Sequence, residues 1–277
     1  MSSDSSTRKV AIAVAPNGGR RLKADHPAIP LTPAELAQTA HECLTGGASM
    51  IHVHVRRNDG RHLLDAEAYR EAISAIRDKV GDRLIVQITT EALGIYTPAE
   101  QIGVLKATRP EAASMALREI VPDDAAEPAF AELLFWMKRE RVLPQIILYE
   151  PAEAIRLANL IARGLVPWRE IPVLYVLGRY TTNQTSQPSD LLPFLAAGMP
   201  RFANWSVCAF GRHEAACVAA AAMLGGQVRV GFENNLLLPD GRQAPSNAAL
   251  VEAVVTVLKG VGYASCDAAG LRDLYAL

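Results

Sequence analysis

The chain has 277 residues, 50% of them hydrophobic, with 28 Lys+Arg against 29 Asp+Glu for a formal net charge of -1. This composition excludes general disorder, and without a basic excess there is no field for bulk nucleic acid or a lipid surface, which leaves small-molecule chemistry. The length suits one α/β unit, read as a single domain over 1–277 with residues 16–32 as a first loop over the active-site end.

The first apolar run, VAIAVA at 10–15, reads as a strand ending in PNGGRRLKADHPAIP, where early glycines, Pro27 and Pro30 predict a stiff loop without the GxGxxG of a phosphate turn. Thr32 before Pro33, with Glu35 following, predicts the start of a helix that Gly46 ends. SMIHVHV at 49–55 is the second strand, and DAEAYREAISAIRDKVG a helix stopped at Gly81. RLIVQITT at 83–90 precedes a helix that Thr97, Pro98 and Glu100 open in the same capping pattern. The alternation continues through AASMAL (112–117), AAEPAFAELLFWMKRE, QIILYE (145–150), PAEAIRLANLIARG, IPVLYVLG (171–178) and SDLLPFLAAG, with Gly164 and Gly198 as stops. NWSVCAF (204–210), HEAACVAAAAMLGG, VRVGFE (228–233) and a last helix capped by Ser246 complete the series. Eight strand–helix units predict an α/β fold of the (β/α)8 TIM barrel type, since a closed sheet of parallel strands leaves no edge.

Cys43, Cys208, Cys217 and Cys266 have no CxxC spacing and no apolar signal segment follows Met1, so reduced thiols in a cytoplasmic protein are expected. The run AACVAAAAML ends at Gly225 and Gly226, too short for a membrane span.

In a strand, residues i and i+2 face the same side, so His52 and His54 present two imidazoles roughly 7 Å apart. Glu233, closing another strand, would add an oxygen ligand and leave an open position, the pattern of catalytic rather than structural zinc. The alternative is a His52 that donates to a backbone carbonyl beside a packed His54. In a barrel these three residues lie at the carboxyl ends of strands, where active sites collect. The same end receives Asn17, Thr89, Thr90, Glu91, Ser114, Glu150, Arg179 and Arg212. Arg229 shares the parity of Glu233 and is expected either to meet an anionic ligand or to form an internal ion pair with Glu91 or Glu119. Asn234 and Asn235 either orient ligand oxygens or turn the loop, and Arg56 and Arg57 either serve a ligand or pair with Asp59. His26 and His213 are open to the same reading as loop-pairing residues. No GxSxG elbow and no catalytic cysteine context occurs, so carbonyl chemistry on a metal Lewis acid is favoured.

The stretches HPAIPLTPAEL, HVHVR, RPEAAS, the FGR after strand seven, GGQVRVGFE and APSNAALV together resemble the β-keto acid cleavage enzyme family over nearly the whole chain. That resemblance implies a metal-dependent TIM barrel, usually a homotetramer, that condenses a small β-keto acid with acetyl-CoA and releases acetoacetate and a new CoA thioester. It assigns metal binding to His52, His54 and Glu233, with Zn2+ expected and Mn2+, Co2+ or Ni2+ compatible with the same donors. By position it also assigns Thr89, Ser114 and Arg229 to the substrate and the chemistry; Asn17 and Arg20, from their places after strand one, are expected to bind substrate beside them. Against the family the end DAAGLRDLYAL is short where relatives usually show an acid and an arginine, which implies a trimmed last closure, and three further positions depart from the pattern. Asn234 replaces an aspartate that takes part in proton abstraction, Arg20 a glutamate suited to a substrate ammonium group, and Glu91 a glycine. An amide is no base, so Glu91 becomes the expected proton acceptor, the alternative being that it neutralises Arg229 or Arg20. A metal-dependent hydrolase or CoA-independent carbon–carbon lyase would keep the same ligands, and a non-catalytic metabolite-binding barrel would keep affinity without product.

Overall fold

Eight parallel strands close on themselves in the computed structural model, which describes residues 7–275. The two ends of the 1–277 expectation lie outside the described residues. The strands are β1 (Lys9–Val14), β2 (Met50–Val53), β3 (Ile85–Thr89), β4 (Ala112–Ala116), β5 (Leu143–Leu148), β6 (Val173–Leu177), β7 (Trp205–Ala209) and β8 (Gln227–Val230). Each pairs with the next, and β8 returns to β1 with Ala13 beside Arg229. Parallel strands covered on both faces need apolar residues at successive positions, and β3 to β7 are buried throughout. This is the (β/α)8 barrel the alternation predicted.

The outer helices are α1 (Pro33–Gly46), α2 (Ala66–Val80), α3 (Pro98–Thr108), α4 (Glu127–Glu140), α5 (Pro151–Ala162), α6 (Glu214–Met223) and α7 (Asn247–Gly260). Thr32 with Glu35 and Thr97 with Glu100 form reciprocal capping boxes, and Ser246 accepts from the Ala249 amide, as their spacing predicted. The expected helix after β6 is instead a 3-10 turn, Pro188–Leu191, running into one helical turn, Leu192–Leu195. Pro193 enters at its start and Gly198 follows at φ 86°, leaving no room for a longer helix.

Three boundaries differ from the sequence reading, and two of them shape the site. The second strand stops at Val53; Val55–Arg56 turns off to pair antiparallel with His62–Leu63, so His54 sits at the bend. The last barrel strand stops at Val230, and Glu233 lies in a tight turn beyond it. At the opposite end the chain is extended rather than trimmed. Ala264–Cys266 pairs with the start of β1, and a further helix, α8 (Ala268–Tyr275), packs Leu271 and Tyr275 against Ala11, Met50, Ile85, Ala112 and Leu143. That plug closes the amino-terminal mouth of the barrel, so ligands reach the interior from the carboxyl end. Among the described residues no helix is long and apolar enough to cross a membrane.

Candidate metal centre and active site

His52 and His54 converge more closely than alternation alone predicts. Their rings stand edge to face at 5.1 Å and their Nε2 atoms are 3.2 Å apart, because the bend after Val53 swings His54 inward. Glu233 Oε2 lies 3.7 Å from His52 Nε2 and 3.5 Å from His54 Nε2. A tetrahedral ion with bonds of about 2.0–2.1 Å spaces its ligand atoms about 3.3 Å apart, so the separations match one ion at their centre. These are the His, Cys, Asp and Glu residues that form such a group among the described residues.

The chemistry of the donors fits as well. Gln87 Nε2 donates to Gln145, which turns Gln87 Oε1 toward His52 Nδ1 at 2.8 Å and makes that nitrogen the donor. The lone pair of His52 is thereby left on Nε2, where Glu233 faces it. Burial pushes His52 down to about 4 and His54 to about 3, keeping both imidazoles neutral and able to ligate. Burial alone would raise Glu233, yet the Arg229 guanidinium and the two imidazoles hold it well below the usual carboxylate range. Among the described residues Glu233 Oε2 has no hydrogen-bond partner despite its burial, as expected of an atom whose natural partner is a cation.

Two glycines and two buried polar side chains place that carboxylate. A Cβ at Gly231, whose φ is 136°, would meet the Ala15 carbonyl oxygen at 2.4 Å, and one at Gly18, φ 58°, would meet Glu233 Cγ at 2.6 Å. The turn itself is tied down by Glu214, which accepts from the Gly231 amide, and by Asn247, which accepts from Phe232 and donates to the Pro16 carbonyl. Asn235 accepts from the Leu237 amide and donates to Glu214, so it turns the loop.

Arg229 pairs with Glu233 at 3.3 Å and lies 3.2 Å from Cys208 Sγ. The sequence reading named Glu91 or Glu119 as its ion-pair partner; the turn after β8 brings the acid four residues on back over the guanidinium instead. Arg229 Nε and Nη1 are buried without partners among the described residues and Ser114 Oγ likewise, and both residues line the cleft over the triad. Thr89 lines it too, its hydroxyl accepting from the Glu91 amide. Glu91 Oε2 approaches His54 Nδ1 to 3.7 Å, and Glu91 Oε1 pairs with Arg179 at 3.2 Å. Burial, followed by the repulsion of Glu233, raises the Glu91 carboxyl to about 7 against the pull of Arg179.

Other expected residues take different places. Asn17 spends its amide on the Pro30 and His54 carbonyls and the His54 amide, so it holds the bend that carries His54 in position. Asn234 is fully buried with neither side-chain polar atom partnered. Arg20 is exposed at the mouth, Glu150 is an exposed helix cap paired with Arg118, and Arg212 is exposed. Arg56 does not pair with Asp59; its guanidinium donates to the carbonyls of Gly60, Asn17, Gly18 and Arg21 and so binds the first loop to the hairpin. His213 contacts the Ser186 carbonyl and His26 packs on Phe232. Gln87 and His62 went unrecognised in the sequence, although His62 Nε2 fixes the Glu91 carbonyl at 2.8 Å. Gln87 left a signal, a lone amide in the apolar run RLIVQITT paired in register with His52.

A family model described as beta-keto acid cleavage enzyme matches residues 9–277. The 3-keto-5-aminohexanoate cleavage enzyme of Fusobacterium nucleatum subsp. nucleatum is 31% identical over 262 residues, covering 92% of this chain and 93% of its own. The 3-oxoadipate:acetyl-CoA acetyltransferase of Cupriavidus necator is 26% identical over 278 residues, covering 98% and 96%. Among solved structures, the binary complex of ObcA with oxaloacetate has a TM-score of 0.69 at 19% identity, covering 91% of this chain and 68% of that one, a likeness of fold.

Proposed function

The chain belongs to the β-keto acid cleavage enzyme family, and from that premise we propose that it transfers the acyl group of a small β-keto acid to CoA, with acetyl-CoA as co-substrate and acetoacetate as the second product. The observation that carries this reading is the meeting, in one cleft, of the His52, His54 and Glu233 donors with the unpartnered nitrogens of Arg229 and the unpartnered hydroxyl of Ser114. A divalent ion held by the three donors, Zn2+ by preference and Mn2+, Co2+ or Ni2+ by compatibility, supplies Lewis-acid polarisation of the keto oxygen. The names of the relatives supply the acetyl-CoA.

In this reading Arg229 and Ser114 bind the oxygens of the keto acid, with Thr89 beside them, and the apolar wall of Ile147, Val176 and Phe210 limits water. Glu91 takes a proton from the carbon between the keto and carboxylate groups. That carbon attacks the acetyl thioester carbonyl; a carbon–carbon bond forms and the carbon–sulfur bond breaks, releasing the CoA thiolate. The thiolate attacks the original keto carbon, whose bond to the attacking carbon then breaks. Glu91 returns its proton to the departing fragment, giving acetoacetate and the new CoA thioester. Asn234, an amide, takes no proton. The proposal extends to a cytoplasmic homotetramer with one domain per chain, which light scattering tests.

Metal-loaded protein incubated with a β-keto acid panel, with and without acetyl-CoA, tests the reading. Acetoacetate and a new thioester formed only when both substrates are present support it. Free acids formed without acetyl-CoA select a hydrolase or simple lyase.

A further inference from the structure

Three guanidinium groups, Arg20, Arg21 and Arg179, line a small cavity at the mouth of the site against two carboxylates, Glu91 and Glu233. Both carboxylates are already matched, Glu91 by Arg179 at 3.2 Å and Glu233 by Arg229 at 3.3 Å. Arg21 is not. Among the described residues Arg21 pairs with no carboxylate within 4.0 Å although it is partly buried, and Asp25, Glu214 and Glu233 act on it only from farther away. Its location is fixed, since the Arg21 carbonyl is held by Arg56. A partly buried guanidinium beside Arg179, with its carboxylate neighbours out of contact, leaves its donors free for an anionic group of a ligand.

The cavity shares Glu91, Arg179 and Glu233 with the cleft over the metal donors. An anion there is therefore part of the same small molecule that meets the triad, or a close neighbour of it. The phosphates of CoA are separated from its thioester by the whole pantetheine arm, whereas a second carboxylate on a short keto acid sits a few bonds from the keto group. We propose that Arg21, with Arg20 beside it, forms a subsite for a distal carboxylate, so that the substrate is a short β-keto dicarboxylate. The assignment rests on the β-keto acid reading above and specifies its substrate.

The test compares 3-oxoadipate, 3-oxohexanoate and 5-amino-3-oxohexanoate, which share a chain length and differ in the distal group, each with acetyl-CoA. Loss of one charge-assisted contact corresponds to roughly 10- to 100-fold, so kcat/KM is expected to favour the dicarboxylate over the neutral acid by about that factor. Arg21→Met is expected to bring the ratio close to unity, Arg21→Lys to restore part of it, and Arg21→Glu to turn the preference toward the amino acid. A binding arm requires no turnover. Calorimetric titration of metal-free protein with adipate and with hexanoate is expected to show binding of adipate alone, lost in Arg21→Met. Failure of every keto acid to react, with adipate binding intact, overturns the proposed reaction and leaves the subsite standing. A ratio unchanged by Arg21→Met and Arg21→Glu, or equal titrations of adipate and hexanoate, overturns the subsite. A raised KM for acetyl-CoA in Arg21→Met with the keto-acid ratio unchanged assigns the anion to CoA phosphate and likewise overturns it.

Discussion

Arg229→Met separates a cation that maintains the fold from one that serves a ligand. The side chain is 4% exposed and neutralises Glu233 at 3.3 Å. Its removal leaves a buried carboxylate unpaired, which in metal-free protein costs about 3–5 kcal/mol, or roughly 6–20 °C in melting temperature for a chain of this size. The same carboxylate lies 3.5 and 3.7 Å from the two imidazole nitrogens. An ion bound between them supplies the missing positive charge. The native protein gains from zinc too, so the deficit is expected to shrink by the variant's gain in metal affinity, about 1.4 kcal/mol for each tenfold, a gain that arises because Arg229 no longer competes for Glu233. Turnover is expected to remain about 100-fold low, since Arg229 Nε and Nη1, unpartnered in the protein, are the groups offered to the developing anion. Thermal melts with and without zinc, calorimetric zinc titration and turnover of the keto acid measure these effects. Equal destabilisation with and without zinc, or undiminished turnover in a folded variant, refutes the reasoning.

The remaining expectations concern the donors and the base. Gently purified protein is expected to carry about one divalent ion per chain by elemental analysis, and the His52→Ala, His54→Ala double variant none; full metal retention in that variant removes the assignment. Gln87→Leu deprives His52 Nδ1 of its acceptor at 2.8 Å and is expected to weaken metal binding by about 10- to 100-fold in a competition assay with a chromogenic chelator. Glu91→Gln is expected to abolish solvent deuterium exchange into bound β-keto acid. Normal exchange with weakened metal binding would instead make Glu91 the orienting partner of His54, whose Nδ1 it approaches at 3.7 Å. Asn234→Asp in the Glu91→Gln background is expected to recover exchange, provided that the buried position next to Glu233 reaches the same carbon.

The barrel was legible because its strands are covered on both faces, which writes each one as an apolar run separated from the next by a capped helix. His52, His54 and Glu233 were legible for a related reason: the carboxyl ends of such runs meet where the site forms, although Glu150, which closes QIILYE, stays exposed. Residues that act through the backbone left weaker traces. Arg56, which binds four carbonyls, and Asn17, which grips both polar groups of the His54 backbone, have partners set by loops that meet only in the folded chain. The sequence reading attached each of them to charge or ligand, because pairing with nearby acids is the local alternative a linear pattern offers.

Arg229 shows where parity reasoning ends. Counting alternate residues from Arg229 to Glu233 put both on one face, which is correct, yet it treated the segment as a continuous strand. The strand stops at Val230, and the turn permitted by Gly231 folds Glu233 back onto the arginine and the two histidines. The same glycine thus settles two contacts that the alternation left apart, the ion pair and the third ligand. A substitution at Gly231 is therefore expected to strike metal affinity as well as stability, because any Cβ there must displace the Ala15 carbonyl against which the turn is built. Wild-type metal affinity in a folded Gly231→Ala protein would mean that Glu233 reaches the ligand position without this turn, and the account of how the chain positions it would fail.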